Sequence, residues 1–347
     1  MKAKTFFLTV VAGAVLCLGI CVLLLSREDP FFVMRGIEEG ETAMFDNQRY
    51  QMAGLIRHQD YTQVVMGTSL VANYRASWFT EGTGEKTLKI TFPDGWISEF
   101  DTALKLAFRT HPDLVRVYFC LDPNILIRPD SQRTVELPGY LYNQNVLDDV
   151  EYLLNADTYR TALSNWMHRR SGTGVTLDEA YVWDEGFVFS KKTALECYTR
   201  PEVCREPEPG DAFIEAASEN LDVVCGWAQA HPEVQFVVWF PPYSILYWDM
   251  MLREGKADAV LNAVEYASER LMELDNVAVH CFLHSTAHAT NLNYYTDHIH
   301  CSSEVTAWEA QNLMDGLWRL NHENCPLRLE ELREYIKSYD YEALLAS

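Results

Sequence analysis

Short, almost uninterrupted apolar runs recur along this chain, separated by longer stretches with helical spacing. Five such runs read as strands: 62–68 (TQVVMGT), 87–92 (TLKITF), 114–121 (LVRVYFCL), 235–240 (QFVVWF) and 276–282 (NVAVHCF). Each is rich in Val, Ile, Phe or Tyr and shows little in/out alternation, the pattern of strands covered on both faces. Helical patterns fall at 97–110, 145–168, 211–230, 250–274 and 303–319. Strands alternating with helices predict parallel βαβ units and a doubly wound, five-stranded α/β sheet. Residues 122–234 separate the third and fourth strands, too long for one crossover helix, and are expected to form a cap-like helical insertion over one end of the sheet.

The first 26 residues follow a different pattern. Residues 5–26, TFFLTVVAGAVLCLGICVLLLS, carry no charge. A helix of that length at about 1.5 Å per residue crosses a hydrocarbon core of about 30 Å. Lys2 and Lys4 precede it, and Arg27, Glu28 and Asp29 follow. The basic flank predicts a cytoplasmic N-terminus and a single-pass membrane protein whose remainder is extracytoplasmic. A cleaved signal peptide is the rival reading, but the run is longer than a signal core and LLLSRED offers no small-x-small cleavage site. The expected organisation is therefore an anchor over 1–26, a polar juxtamembrane lead-in over 27–60, and one α/β domain over 61–347.

Composition narrows the class. The 347 residues are 48% hydrophobic and 12% aromatic, enough for a substantial core. A formal net charge of -22 argues against a nucleic-acid partner. Two of the nine cysteines, Cys17 and Cys21, lie in the apolar segment. The other seven (Cys120, Cys197, Cys204, Cys225, Cys281, Cys301 and Cys325) are odd in number and cannot all pair within one chain. Cys197 and Cys204 are close enough in sequence to bridge a loop in an oxidising compartment; the plainer reading is buried thiols. No CxxC occurs.

Ligands in open α/β sheets bind beyond the carboxyl ends of the strands. Polar residues sit at those places: Ser69 after the first strand, Asp94 and Gly95 after the second, Asp122 and Asn124 after the third, Tyr243 and Ser244 after the fourth. A polar loop after the fifth contains Asp297-His298-Ile299-His300. Alone, Ser69 reads as a helix N-cap and Gly95 as a turn glycine. Together, a hydroxyl, an imidazole that can act as its base, and a carboxylate that orients the imidazole make a nucleophilic triad. The Ser69 and Gly95 backbone N–H groups are the candidate oxyanion donors. Asp122 and Tyr243 are expected in the wall of the substrate site. His280, His284, His288, His298 and His300 raise the question of a metal, but the first lies in a predicted strand and the others in loop, so no metal and no cofactor is expected.

A G-x-S turn after the first strand (Gly67-Thr68-Ser69), a Gly after the second, PPYS after the fourth and NYYTDHIH near the C-terminus resemble the SGNH/GDSL hydrolase superfamily. The resemblance is closer to a membrane-anchored bacterial branch similar to the D-alanyl-transfer protein of teichoic acid assembly, and covers about residues 61–315. It implies an SGNH/flavodoxin-like fold and an extracytoplasmic serine esterase or O-acyltransferase. The substrate would be an acylated glycan or related cell-envelope polymer, with a membrane-bound acyl-transfer partner as a further expectation. Ser69 would be acylated, His300 would act as general acid/base, and Asp297 would orient it. The chain departs from the pattern twice. GTS stands where the superfamily usually has GDS, and CLDPN replaces GxND, leaving Asn124 two positions late as third oxyanion donor. A catalytically silent glycan-binding or assembly module on the same fold is the alternative.

Overall fold

The computed structural model describes residues 3–145 and 147–346. Lys2 of the basic flank, Val146 of the predicted helix 145–168 and the terminal Ser347 lie outside the described residues. The chain separates into two compact units. One comprises residues 1–59 and 137–180, the other residues 60–136 and 181–347.

The larger unit is α/β. Its strands are β1 Gln63–Gly67, β2 Thr87–Thr91, β3 Arg116–Cys120, β4 Gln235–Phe240 and β5 Val277–Cys281. All four pairings are parallel, in the order β2-β1-β3-β4-β5. The order reverses beside β1, the kind of switch point at which doubly wound sheets hold ligands. Every residue of β1 and β5 is buried, which is why the runs lacked alternation. The strands lie within the expected spans, one or two residues shorter at several ends.

Two predicted helices are broken where the backbone turns left-handed. The 250–274 pattern is two helices, Ile245–Arg253 and Ala257–Met272, separated at Gly255 with φ 73°. A Cβ there would meet the Glu206 carbonyl oxygen at 2.3 Å, so glycine is required on both counts. The 303–319 pattern stops at Met314, followed by Gly316 at φ 69° and Trp318 at φ 60°.

The smaller unit departs from the expected division of the chain. Of the expected polar lead-in 27–60, residues 27–59 are folded into this unit, and 137–180, expected within the cap-like insertion, belong with them. Its first element is the helix Ala3–Glu28, long and apolar enough to cross a membrane. The end of that helix is built into a small core in which Leu25, Phe31 and Tyr152 are buried with Ala162. Asp29 is the hub. Its buried carboxylate accepts the N–H groups of Val33, Met34 and Arg35 at 2.8–3.0 Å and the Tyr152 hydroxyl at 2.7 Å. A buried carboxylate needs such partners. Gln51, on the helix Gln48–His58, donates to the Pro30 and Met44 carbonyls at 3.0 and 2.7 Å.

Candidate active site

The turn that carries Ser69 is fixed from three sides. Gly67 ends β1 in a space that admits no side chain: a Cβ would lie 2.5 Å from Val71 Cγ2 and 2.8 Å from Cys120 Cβ. Thr91 at the end of β2 donates its hydroxyl to the Thr68 carbonyl at 2.9 Å. Lys89, buried in β2, donates to the Ala72 and Tyr74 carbonyls at 2.7 Å each, placing a cation at the end of the short helix Ser69–Ala72. That is the end of a helix that favours positive charge. The N-cap position belongs to Thr68, not Ser69. The reading of Ser69 as a cap is thereby replaced, and its hydroxyl is left for another partner.

That partner is His300. Ser69 Oγ lies 2.9 Å from His300 Nε2, and His300 Nδ1 lies 2.7 Å from Asp297 Oδ2. The other Asp297 oxygen accepts the Ile299 and His300 backbone N–H groups at 2.8 and 2.7 Å. The carboxylate therefore holds the loop and the ring together. Burial pushes the Asp297 carboxyl up, but its hydrogen bond to His300, the imidazole charge and the two N–H groups outweigh that and hold it below the ordinary aspartate value. An ionised carboxylate on Nδ1 keeps the proton there and leaves Nε2 free to accept one from Ser69. Ser69 is only partly buried, so the hydroxyl is reachable. Ser244, just before the helix Ile245–Arg253, donates to the His298 carbonyl at 2.7 Å and ties the loop to the end of β4.

Asp297→Asn is expected to lower turnover by about 10³–10⁴-fold, because an amide NH₂ facing Nδ1 favours the wrong tautomer. Its carbonyl oxygen can still accept the two backbone N–H groups, so the melting temperature should move by no more than a few degrees. A variant with full turnover would remove the carboxylate from the account.

The other expected site residues are placed differently. The Gly95 N–H is already bonded to the Phe92 carbonyl at 3.0 Å and is not offered to a ligand. A Cβ on Gly95 would lie 2.8 Å from Phe100, and Arg128 clamps the same turn through Asp94 at 2.6 Å and the Gly95 carbonyl at 2.8 Å. Gly95 is a packing and turn residue. Asn124 points its amide at the Tyr243 hydroxyl, 3.0 Å away, and its backbone N–H at Asp122, 2.8 Å away. Asp122 and Tyr243 are buried and hydrogen-bonded to each other, with Thr68 donating to Asp122 at 3.2 Å. They form a support beneath the nucleophile turn instead of a wall facing substrate. Burial raises the Asp122 carboxyl above its ordinary value despite the hydrogen bonds from Tyr243, Asn124 and Thr68. Of the three expected oxyanion donors only the Ser69 N–H remains, at the first position of its helix, where no intrahelical acceptor exists.

Trp183 is the residue that pattern reading missed. Its indole N–H donates to the Ser69 carbonyl at 3.3 Å, its backbone N–H to Asn73 Oδ1 at 3.1 Å, and its ring stands edge-on to His300 at 5.3 Å. Asp184 accepts from Ser303, and the Ser190 N–H donates to the Tyr295 carbonyl at 3.2 Å, so this segment is held to both sides of the His300 loop. Phe187 and Val188, on the same segment, are exposed. The stretch YVWDEGF has no periodicity that marks it as part of a site.

The remaining histidines have separate surroundings. Burial lowers His280, which bonds the Leu317 carbonyl at 2.6 Å, and lowers His284 to about 4. It also lowers His288 and His298. Among the described residues no group of three or more His, Cys, Asp or Glu side chains is arranged to hold a metal. All nine cysteines are free; Cys197 and Cys204 are exposed and unbridged, while Cys120, Cys225, Cys281, Cys301 and Cys325 are buried. Compared with known proteins, the chain matches no family model, no curated protein and no solved structure.

Proposed function

We propose that this protein is a membrane-anchored serine esterase or O-acyltransferase of the SGNH type, acting outside the cytoplasm on acyl esters of a cell-envelope glycan or related polymer. The observation that carries the reading is the continuous relay from Ser69 Oγ to His300 to Asp297, at 2.9 and 2.7 Å. In the proposed reaction Ser69 Oγ attacks the ester carbonyl as its proton passes to His300 Nε2. The Ser69 N–H stabilises the oxyanion. His300 then returns the proton to the departing alcohol, leaving an acyl-serine. Water, or a hydroxyl of the glycan, attacks that ester with His300 again taking the proton, and His300 gives it to Ser69 Oγ as the bond between the serine and the acyl group breaks. The exposed Phe187, its ring 5.2 Å from that of Trp183, offers an apolar surface on the segment that meets Ser69.

The test is turnover of an activated acetyl ester by the full chain in detergent, with and without a glycan acceptor. Turnover that depends on Ser69 supports the enzyme, and acylated glycan in excess of free acid identifies a transferase. Turnover equal to that of Ser69→Ala contradicts both.

Two observations support a retained anchor. Leu25 is fully buried in the small core of its unit, and the Asp29 N–H bonds the Leu25 carbonyl at 2.7 Å. Cleavage near residue 26 would open that core. The exposed Cys197 and Cys204 give a direct check of sidedness. After mild reduction of intact cells, a membrane-impermeant maleimide is expected to label both on full-length protein that retains its N-terminus. Labelling only after lysis would place the domain in the cytoplasm.

A further inference from the structure

The helix Ala156–Ser171 packs beside the anchor helix within the same unit, yet it leaves Leu163, Trp166 and Met167 exposed. With Arg170 these residues fall at i, i+3, i+4 and i+7, one face of the helix. A second exposed apolar series, Leu147, Val150 and Leu154, precedes it at helical spacing. Large apolar side chains exposed along one helix face mark an interaction site on a soluble domain. Here it adjoins a helix whose body is suited to hydrocarbon. A groove of about 910 Å³ lies between Leu24 and Arg27 of the anchor and Leu163, Trp166, Arg169 and Arg170 of the neighbouring helix.

The charges in the groove differ in state. Arg169 is paired with Glu28 and lies 3.6 Å from Glu41. Arg27 and Arg170 are exposed and have no carboxylate partner among the described residues, and Arg170 sits 4.6 Å over the Trp166 ring. Trp and Arg side by side at the end of an apolar helix suit the membrane–water boundary. In a chain of net charge -22, two uncommitted guanidinium groups at this place are a local exception.

We propose that the groove binds an anionic phospholipid of the leaflet on the domain's side of the membrane. The lipid phosphate lies between Arg27 and Arg170, and an acyl chain runs along Leu24, Leu163 and Trp166. The bound lipid seats the Ala156–Ser171 helix in the interface and limits how the small unit can tilt about its anchor. A membrane lipid is the occupant because one wall of the groove is the anchor itself, whose exposed Leu23 and Leu24 continue toward the hydrocarbon. The proposal rests on the retained anchor and is independent of the serine chemistry.

The experiment uses the full chain in nanodiscs of phosphatidylcholine with a fixed fraction of bromine-labelled phosphatidylglycerol or, separately, bromine-labelled phosphatidylcholine, read by tryptophan quenching. Phosphatidylglycerol is expected to quench more strongly at equal fraction, and Trp166→Phe to remove most of that excess. The double variant Arg27→Gln/Arg170→Gln, altered only at exposed positions, is expected to abolish the headgroup preference while ordinary quenching by phosphatidylcholine persists. Equal quenching by the two lipids, or a preference that survives in the double variant, overturns the proposal. So does a dimer in which Trp166 is shielded from both lipids, which gives the groove to a second copy. A protein that does not enter nanodiscs overturns the proposal and the anchor together; Ser69-dependent turnover, measured on the same samples, reports on the enzyme separately.

Discussion

Ser69→Ala is expected to lower ester turnover by at least about 10⁴-fold, the scale on which removal of a nucleophile acts when base and orienting carboxylate remain. Its effect on folding should be small, within about 0.5 kcal/mol, as for a partly exposed position with no structural duty. The structure separates these two consequences. The Ser69 hydroxyl is hydrogen-bonded to His300, whereas the helix that begins at Ser69 is capped by Thr68. The turn itself is held by Gly67, Thr91 and Lys89, none of which touches the hydroxyl. Activity and thermal unfolding measured on one preparation decide the matter. Lost activity with unchanged unfolding supports a nucleophile, and retained activity excludes one.

The second large effect concerns stability. Glu309 lies on the helix Ser303–Met314 with 1% of its surface exposed. Its Oε1, the Tyr74 hydroxyl and the Trp239 indole N–H are buried together, Tyr74 and Trp239 being the polar neighbours of the carboxyl. Burial pushes the carboxyl up to about 8, although nearby Tyr74 and Trp239 work in the opposite direction. The unfolded chain releases this proton near pH 4.3. Between about pH 4.3 and about pH 8 the native state keeps a proton that the unfolded state has lost, so stability falls as pH rises. The slope is about 1.4 kcal/mol per pH unit at most. Glu309→Gln carries no titrating group and should be free of that slope. Urea unfolding of wild type and variant is expected to agree within about 1 kcal/mol at pH 4 and to diverge by on the order of 5 kcal/mol at pH 8, with the variant the more stable. Other titrating groups are common to both proteins and cancel in the difference. A difference that does not change with pH would contradict a neutral buried Glu309.

Much of the larger unit is readable from sequence because its physics is local. Strands such as QVVMG and VAVHC are buried on both faces and need apolar side chains at every position. The relay was legible for a chemical reason. A weak nucleophile needs a base, and the base needs an orienting carboxylate, so Ser69, His300 and Asp297 acquire meaning only as an ordered set. The oxyanion donors were less legible. Whether the Gly95 N–H is free depends on the Phe92 carbonyl curling back onto it, and Asp94 at φ 48° is part of that turn. Pattern cannot show where one N–H points. The smaller unit was hidden because it joins segments far apart in sequence, as where the buried Asp29 carboxylate collects partners from residues 33–35 and from Tyr152. Trp183 was hidden because one aromatic among several in an irregular segment reads as packing.

The central claim is that His300 activates the Ser69 hydroxyl. The most direct measurement is covalent labelling of the folded full chain by a fluorophosphonate, with the modified peptide located by mass spectrometry. One labelled residue, Ser69, is expected, with labelling lost in His300→Ala and after heat denaturation. Absence of label on Ser69 in folded protein, or equal labelling in His300→Ala, would contradict it.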